Sequence, residues 1–151
     1  MTKRIKTDVL VIGAGSGGLS VAAGAVQMGA DVTLLEGHKM GGDCLNYGCV
    51  PSKALIKSAK IAHAQQHSAQ YGVADAPGEV DYAAAKDHVS QVIEQIAPVD
   101  SVERFEGLGV RVIREYGRFI SATEGQAGET VLPARPLPPG PGSRRPWPPG
   151  G

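Results

Sequence analysis

Cys44 and Cys49 are the only two thiols in this 151-residue chain, and both lie in the segment Gly41-Gly42-Asp43-Cys44-Leu45-Asn46-Tyr47-Gly48-Cys49-Val50-Pro51-Ser52-Lys53. Thiols at this spacing can bridge or can bind a metal. On a regular helix, positions i and i+5 stand about 8.6 Å apart at Cα, from 3.6 residues per turn and a 1.5 Å rise. A disulfide needs roughly 4.4–6.8 Å. A bridge here therefore requires a distorted backbone, which Gly41, Gly42 and Gly48 permit. A disulfide in such a place is strained or exposed and hence reducible, the profile of a working redox pair rather than a structural staple.

The competing chemistry is a zinc site. Cys44-x4-Cys49-x13-His63-x3-His67 falls close to a Cys2His2 spacing. A finger needs its cysteines on a hairpin, whereas Pro51–His67 reads as one long helix. Fingers are also usually basic, and this chain has 15 Lys+Arg against 15 Asp+Glu. The expectation is no metal, with His63 and His67 on a solvated helix face. His38 carries no signal of its own, and His88 reads as a surface residue.

The elements that would position the cysteines begin at the N-terminus. Thr7–Ile12 is a β-branched run suited to a buried parallel strand. It leads into Gly13-Ala14-Gly15-Ser16-Gly17-Gly18, which fits G-x-G-x-x-G through Gly13, Gly15 and Gly18. Leu19–Met28 reads as a helix and Asp31–Leu35 as a second strand, closed by Glu36. Gly13 permits the tight turn, Gly15 lets backbone approach a pyrophosphate, and Gly18 lets helix and strand pack closely. The free amides at the helix start and its dipole attract phosphate. Glu36, 18 residues past Gly18, can accept hydrogen bonds from ribose hydroxyls. The order strand, glycines, helix, strand, acid describes a Rossmann-like α/β unit with a parallel sheet. It does not separate FAD from NAD(P).

Further along, Ser52–Gln70 reads as a helix with Leu55, Ile56, Ala59 and Ala62 on its apolar side. Tyr82–Ala97 reads as another, with Tyr82, Ala85, Val89, Ile93 and Ile96 expected in the core. Val102–Phe105 suggests a short helix, Val110–Ile113 and Arg118–Ser121 strands, and Thr123–Gly128 a hairpin.

Composition narrows the class. Balanced charge gives no bulk reason for a nucleic-acid or membrane-surface partner. Aromatics are 5%, so the core must come from Ala, Val, Ile and Leu. No run approaches the ~20 apolar residues of a membrane span. Lys3, Arg4 and Lys6 followed by Ala23-Gly24-Ala25 mimic a secretory leader, but Asp8 and the glycines interrupt the apolar stretch, so a cytoplasmic protein is expected. Eight of the 11 prolines fall between Pro133 and Pro149. The expected division is a globular part over 1–131 and a disordered, Pro/Gly-rich tail over 132–151 that contains Trp147.

With Gly41–Lys53 following the glycine fingerprint, the sequence resembles the FAD-dependent pyridine nucleotide–disulfide oxidoreductases, which include dihydrolipoamide dehydrogenase, glutathione reductase and mercuric reductase. The likeness runs from Thr7 to about Ser121, including Gly107–Ile113 and Gly117–Ile120. It implies that Gly13, Gly15, Gly18, Glu36 and Gly42 hold FAD. It implies that Cys49 is the flavin-proximal charge-transfer thiolate, Cys44 the interchange thiol, and Lys53 a neighbour of the flavin ring. Electrons would pass from NAD(P)H to FAD, to a Cys44–Cys49 disulfide, and on to a small-molecule or disulfide substrate. Ser52-Lys53, Asp43 and Tyr47 look closer to mercuric-reductase-like or dihydrolipoamide-dehydrogenase-like members than to glutathione reductase, and the substrate stays open.

The resemblance also implies parts that this chain lacks: a strand leading to an Ala-Thr-Gly turn, an NAD(P)H domain, a carboxylate partner for Lys53, and a homodimerisation domain bearing a catalytic His. The chain is thus expected to be an incomplete N-terminal part, inactive alone, with the G/C-codon-rich tail a frameshift product. The alternatives are a non-catalytic dinucleotide-binding fragment and the zinc module.

Overall fold

The structure, a computed structural model, describes residues 3–135. Its centre is a three-stranded parallel sheet of β2 (Val9–Ile12), β3 (Val32–Leu35) and β4 (Arg111–Ile113), in the order β2-β3-β4. The register pairs Val9 with Val32 and Leu34 with Val112. A second sheet, ordered β1-β7-β6-β5, joins β1 (Lys3–Arg4) in parallel to an antiparallel meander of β5 (Gly117–Ser121), β6 (Glu124–Ala127) and β7 (Thr130–Pro133).

Alternation along the parallel strands explains the layering. Val11, Val32 and Leu34 join Leu19 and Ala22 of α1 (Ser16–Gln27) and Phe105 of α5 (Val102–Gly107) in one core. Leu10 and Leu35 face the other way and pack with Ala127 and Leu132 of the meander. Both faces of the sheet are covered, so its strands carry continuous apolar runs. α1 has few large side chains because it lies close against that sheet. It ends at Gly29, whose φ of +84° and bond to the Val26 carbonyl make a left-handed C-terminal cap.

Between β3 and β4 come α2 (Gly42–Asn46), α3 (Cys49–Gln66) and α4 (Tyr82–Ile96), the last capped by Asp81 on the Ala84 amide at 3.0 Å. α3 and α4 lie against each other. No residue of α4 is buried, and Tyr82 is 63% exposed, which corrects the reading of that stripe as core. Only Ala54 of α3 is buried, and Leu55 and Ile56 are exposed. The helical periodicity is correct, but it serves a helix hairpin that stands off the sheet.

The expected boundary at residue 132 falls inside β7. Leu132 is fully buried, Pro133 accepts from the Thr7 amide at 3.1 Å, and Arg135 N–H donates to the Asp8 carbonyl. A proline ends this strand without loss because only its carbonyl is needed there. The rest of the expected tail, with Trp147, lies outside the described residues.

Candidate functional site

Gly13 turns the chain out of β2 at φ +100°, and its amide donates to the Leu35 carbonyl at 2.8 Å. Gly15 caps α1 without any side-chain hydrogen bond, so the amides of the first turn are left for another acceptor. A Cβ built on Gly15 would meet nothing within 4 Å, whereas one on Gly18 would lie 1.9 Å from the Gly13 carbonyl oxygen. The first glycine therefore faces open space, and the second is where helix and strand touch.

Glu36 stands where its spacing places it, at the end of β3 beside the loop. Its Oε2 accepts from the Ala14 amide and its Oε1 from the His38 amide, each at 2.7 Å. The carboxylate thus braces the loop while each oxygen keeps a second lone pair.

The cysteine segment is folded onto this loop. Gly15 bridges to Gly41, and a Cβ on Gly42 would come 2.7 Å from Gly15 Cα. Gly41 and Gly42 both have positive φ, +81° and +55°. Glycine is therefore required there both for backbone conformation and for close approach. Asn46, which sequence reasoning passed over, locks the turn by donating from Nδ2 to the Met40 and Gly42 carbonyls at 3.0 and 2.9 Å.

Cys44 lies in α2 and Cys49 opens α3, with the helix broken between them. The Tyr47 and Gly48 amides both turn back to the Asp43 carbonyl, at 2.9 and 2.6 Å. The break brings the sulfurs within hydrogen-bonding reach, and both cysteines are free thiols. The hydrogen bond to Cys49 raises the Cys44 pKa above a thiol's ordinary value, and so do burial and the charges of Cys49 and Asp100, while Lys53 opposes them. Lys53 lies one turn into α3 and is exposed.

Cys44 lines a cleft of about 380 Å³ with Ser16, Gly41, Asp100 and Arg104. Beyond Glu36 lies a group that sequence reasoning missed. His38 Nε2 is 3.1 Å from Tyr47 Oη, Lys39 Nζ sits 5.2 Å from the Tyr47 ring centre, and Arg114 donates to the His38 carbonyl. Tyr116 covers Gly37, where a Cβ would strike its ring at 2.4 Å. These contacts cross from one loop to another, and no motif in the sequence marks them.

The zinc alternative does not survive the geometry. Cys49 and His63 lie on the one helix α3, and fourteen residues at 1.5 Å rise put about 21 Å between them. His63 and His67 instead stack on each other, with ring centres 4.2 Å apart. No helix among the described residues is long and apolar enough to cross a membrane.

An α/β dinucleotide-binding unit with a paired dithiol set against its glycine loop is what the fold and site define. The family described as pyridine nucleotide-disulphide oxidoreductase matches residues 7–134. Dihydrolipoyl dehydrogenase from Halobacterium salinarum is 39% identical over 132 residues, covering 83% of this chain and 28% of that protein. The Haloferax volcanii dihydrolipoyl dehydrogenase is 40% identical over 134 residues, with the same coverage of each. Leghemoglobin reductase from Vigna unguiculata is 36% identical over 125 residues, covering 79% of this chain and 23% of that protein. The chain belongs to the pyridine nucleotide–disulfide oxidoreductase family, and it spans about 28% of the length of the two archaeal relatives.

Proposed function

We propose that this chain forms the FAD-binding and redox-disulfide part of a flavoprotein disulfide reductase. The observation that carries this reading is the seating of the Cys44–Cys49 pair against the glycine loop, through the contact of Gly41 and Gly42 with Gly15. The residues fit a dinucleotide: the α1 terminus has no side-chain cap, and Gly15 has open space where a Cβ would stand. The amides of the first turn of α1 would hold the pyrophosphate, and Glu36 would take ribose hydroxyls on its remaining lone pairs. Gly42 would border the cofactor and Lys53 would lie beside the flavin ring. FAD, when bound, supplies the two-electron carrier between NAD(P)H and the cysteine pair.

The cysteines do the exchange. Cys44 thiolate attacks one sulfur of a substrate disulfide, forming a mixed disulfide and releasing the first substrate thiolate, which takes up a proton. Cys49 thiolate then attacks Cys44 Sγ, releasing the second substrate thiol and leaving a Cys44–Cys49 disulfide. Two electrons have moved from the cysteine pair to the substrate. The names of the archaeal relatives favour a dihydrolipoyl-type dithiol, oxidised by the reverse of this exchange, over a metal ion as substrate. A homodimer of the whole protein accompanies this reading.

Dinucleotide binding without turnover is the second reading. It is favoured by β2, whose only sheet neighbour among the described residues is β3. Both readings require flavin binding. After mixing with FAD and gel filtration, the chain should retain flavin, and Gly15→Val should lose it with unchanged circular dichroism. Absence of retained flavin, or retention indifferent to that substitution, contradicts both. A charge-transfer band of the flavin-loaded protein that responds to added dithiol separates the first reading from the second.

A further inference from the structure

The loop after α4 brings a carboxylate to the cysteine pair. Asp100 ends the 3-10 turn Ala97–Asp100, immediately before α5. Its Oδ2 stands 3.0 Å from where a Cβ on Gly41 would be, three residues from Cys44, and both Asp100 and Cys44 line the same cleft. Nothing in the dithiol exchange described above uses it.

We propose that Asp100 is a positioning residue for Cys44: its carboxylate, held against Gly41 in the cleft that Cys44 lines, adds to the groups that delay that thiol from becoming a nucleophile. The groups whose charge acts on Cys44 are Cys49 and Lys53 from α3 and Asp100 from the turn; Asp43 is its chain neighbour on α2. Lys53 favours the thiolate and Asp100 opposes it. Arg104, which also lines the cleft, offsets Asp100 only in part, because its Nη1 donates to the Val99 carbonyl at 2.7 Å and its guanidinium lies over the Phe105 ring. Asp100 is itself partly desolvated, which raises its pKa. A charge against low-dielectric protein acts on a neighbouring thiol more strongly than one in water.

The consequence is chemical. A nucleophilic thiol must first lose its proton, and a fixed negative charge delays that loss. Asp100 thus holds the proton on Cys44 while the pair is reduced and resting. This rests on the reading of Cys44 and Cys49 as a redox pair, but the test needs no flavin, nicotinamide or turnover, so failure of that reading would show separately.

The test is the pH profile of Cys44 alkylation by iodoacetamide in the reduced 151-residue chain, read by mass spectrometry of the Cys44 and Cys49 sites. Asp100→Asn should speed Cys44 alkylation by up to about threefold near neutral pH, with rates converging at high pH. Asp100→Glu should restore the slow profile, and high salt should quicken the wild type more than Asp100→Asn. A merely structural Asp100 would leave the midpoint unmoved in the near-isosteric Asn variant. An unshifted midpoint in a folded Asp100→Asn protein overturns the proposal. If that variant does not fold, a wild-type profile insensitive to salt overturns it instead.

Discussion

The Ala14 amide donates to Glu36 Oε2 at 2.7 Å, so the acid at the end of β3 holds the loop at the end of β2. A residue whose spacing suggests a ribose ligand is also a brace for the phosphate loop. Replacing Glu36 therefore acts on two things at once. Glu36→Ala leaves the Ala14 and His38 amides without their acceptor and should cost about 1–3 kcal/mol of stability. Glu36→Gln keeps one carbonyl acceptor and should lose less stability while still weakening flavin binding. Thermal melts paired with flavin titration separate the two effects.

Gly15 and Gly18 should part company under the same substitution. Gly18→Ala drives a Cβ into the Gly13 carbonyl, 1.9 Å away, and backbone cannot move aside cheaply. Overpacking of this kind costs about 1–3 kcal/mol or more. Gly15→Ala meets nothing within 4 Å, so its melting temperature should stay near wild type while bound flavin falls. Melting curves without cofactor, followed by flavin retention, check both.

Burial assigns Leu132 to the folded part. Leu132→Ala should destabilise by about 2–5 kcal/mol, and Phe105→Ala, which empties the opposite core, by about 3–5 kcal/mol. Ile56→Ala, on the exposed side of α3, should change little. Urea unfolding midpoints of the three variants provide the comparison.

Asp100 carries a pH signature in stability. Burial raises its carboxyl above the ordinary value of 3.8, with Arg104 opposing. A raised folded-state pKa means that the folded chain binds this proton more tightly than the unfolded chain does. The resulting stability is full below the ordinary carboxylate value and is lost as pH rises through the raised one. Asp100→Asn should remove that decline. Denaturation midpoints from about pH 3.5 to about pH 7 should fall less steeply in the variant.

How much was legible depended on whether a feature is local. Gly13, Gly15, Gly18 and Glu36 sit at positions dictated by one strand–turn–helix–strand unit, and the break at Gly48 follows from asking whether Cys44 and Cys49 can meet. The stripe at Tyr82, Val89 and Ile93 has helical spacing, but spacing does not say whether a helix lies on the sheet or stands off it, and α4 stands off it. Proline density concealed β7, because a strand's last residue needs no amide donor when its carbonyl does the pairing. Tyr116 over Gly37 and Asp100 against Gly41 join residues far apart in sequence. Only the crossing of β3, β4 and the intervening helices creates such contacts.

The most direct measurement concerns the bond itself. The chain is oxidised mildly, alkylated, digested with trypsin without reduction, and the Met40–Lys53 peptide is weighed. That peptide should be unalkylated and two hydrogens lighter than its dithiol form, and one equivalent of dithiol should convert it to a peptide alkylated at both Cys44 and Cys49. Free thiols after oxidation, or sulfurs joined only between chains, would contradict a redox pair built into this fold.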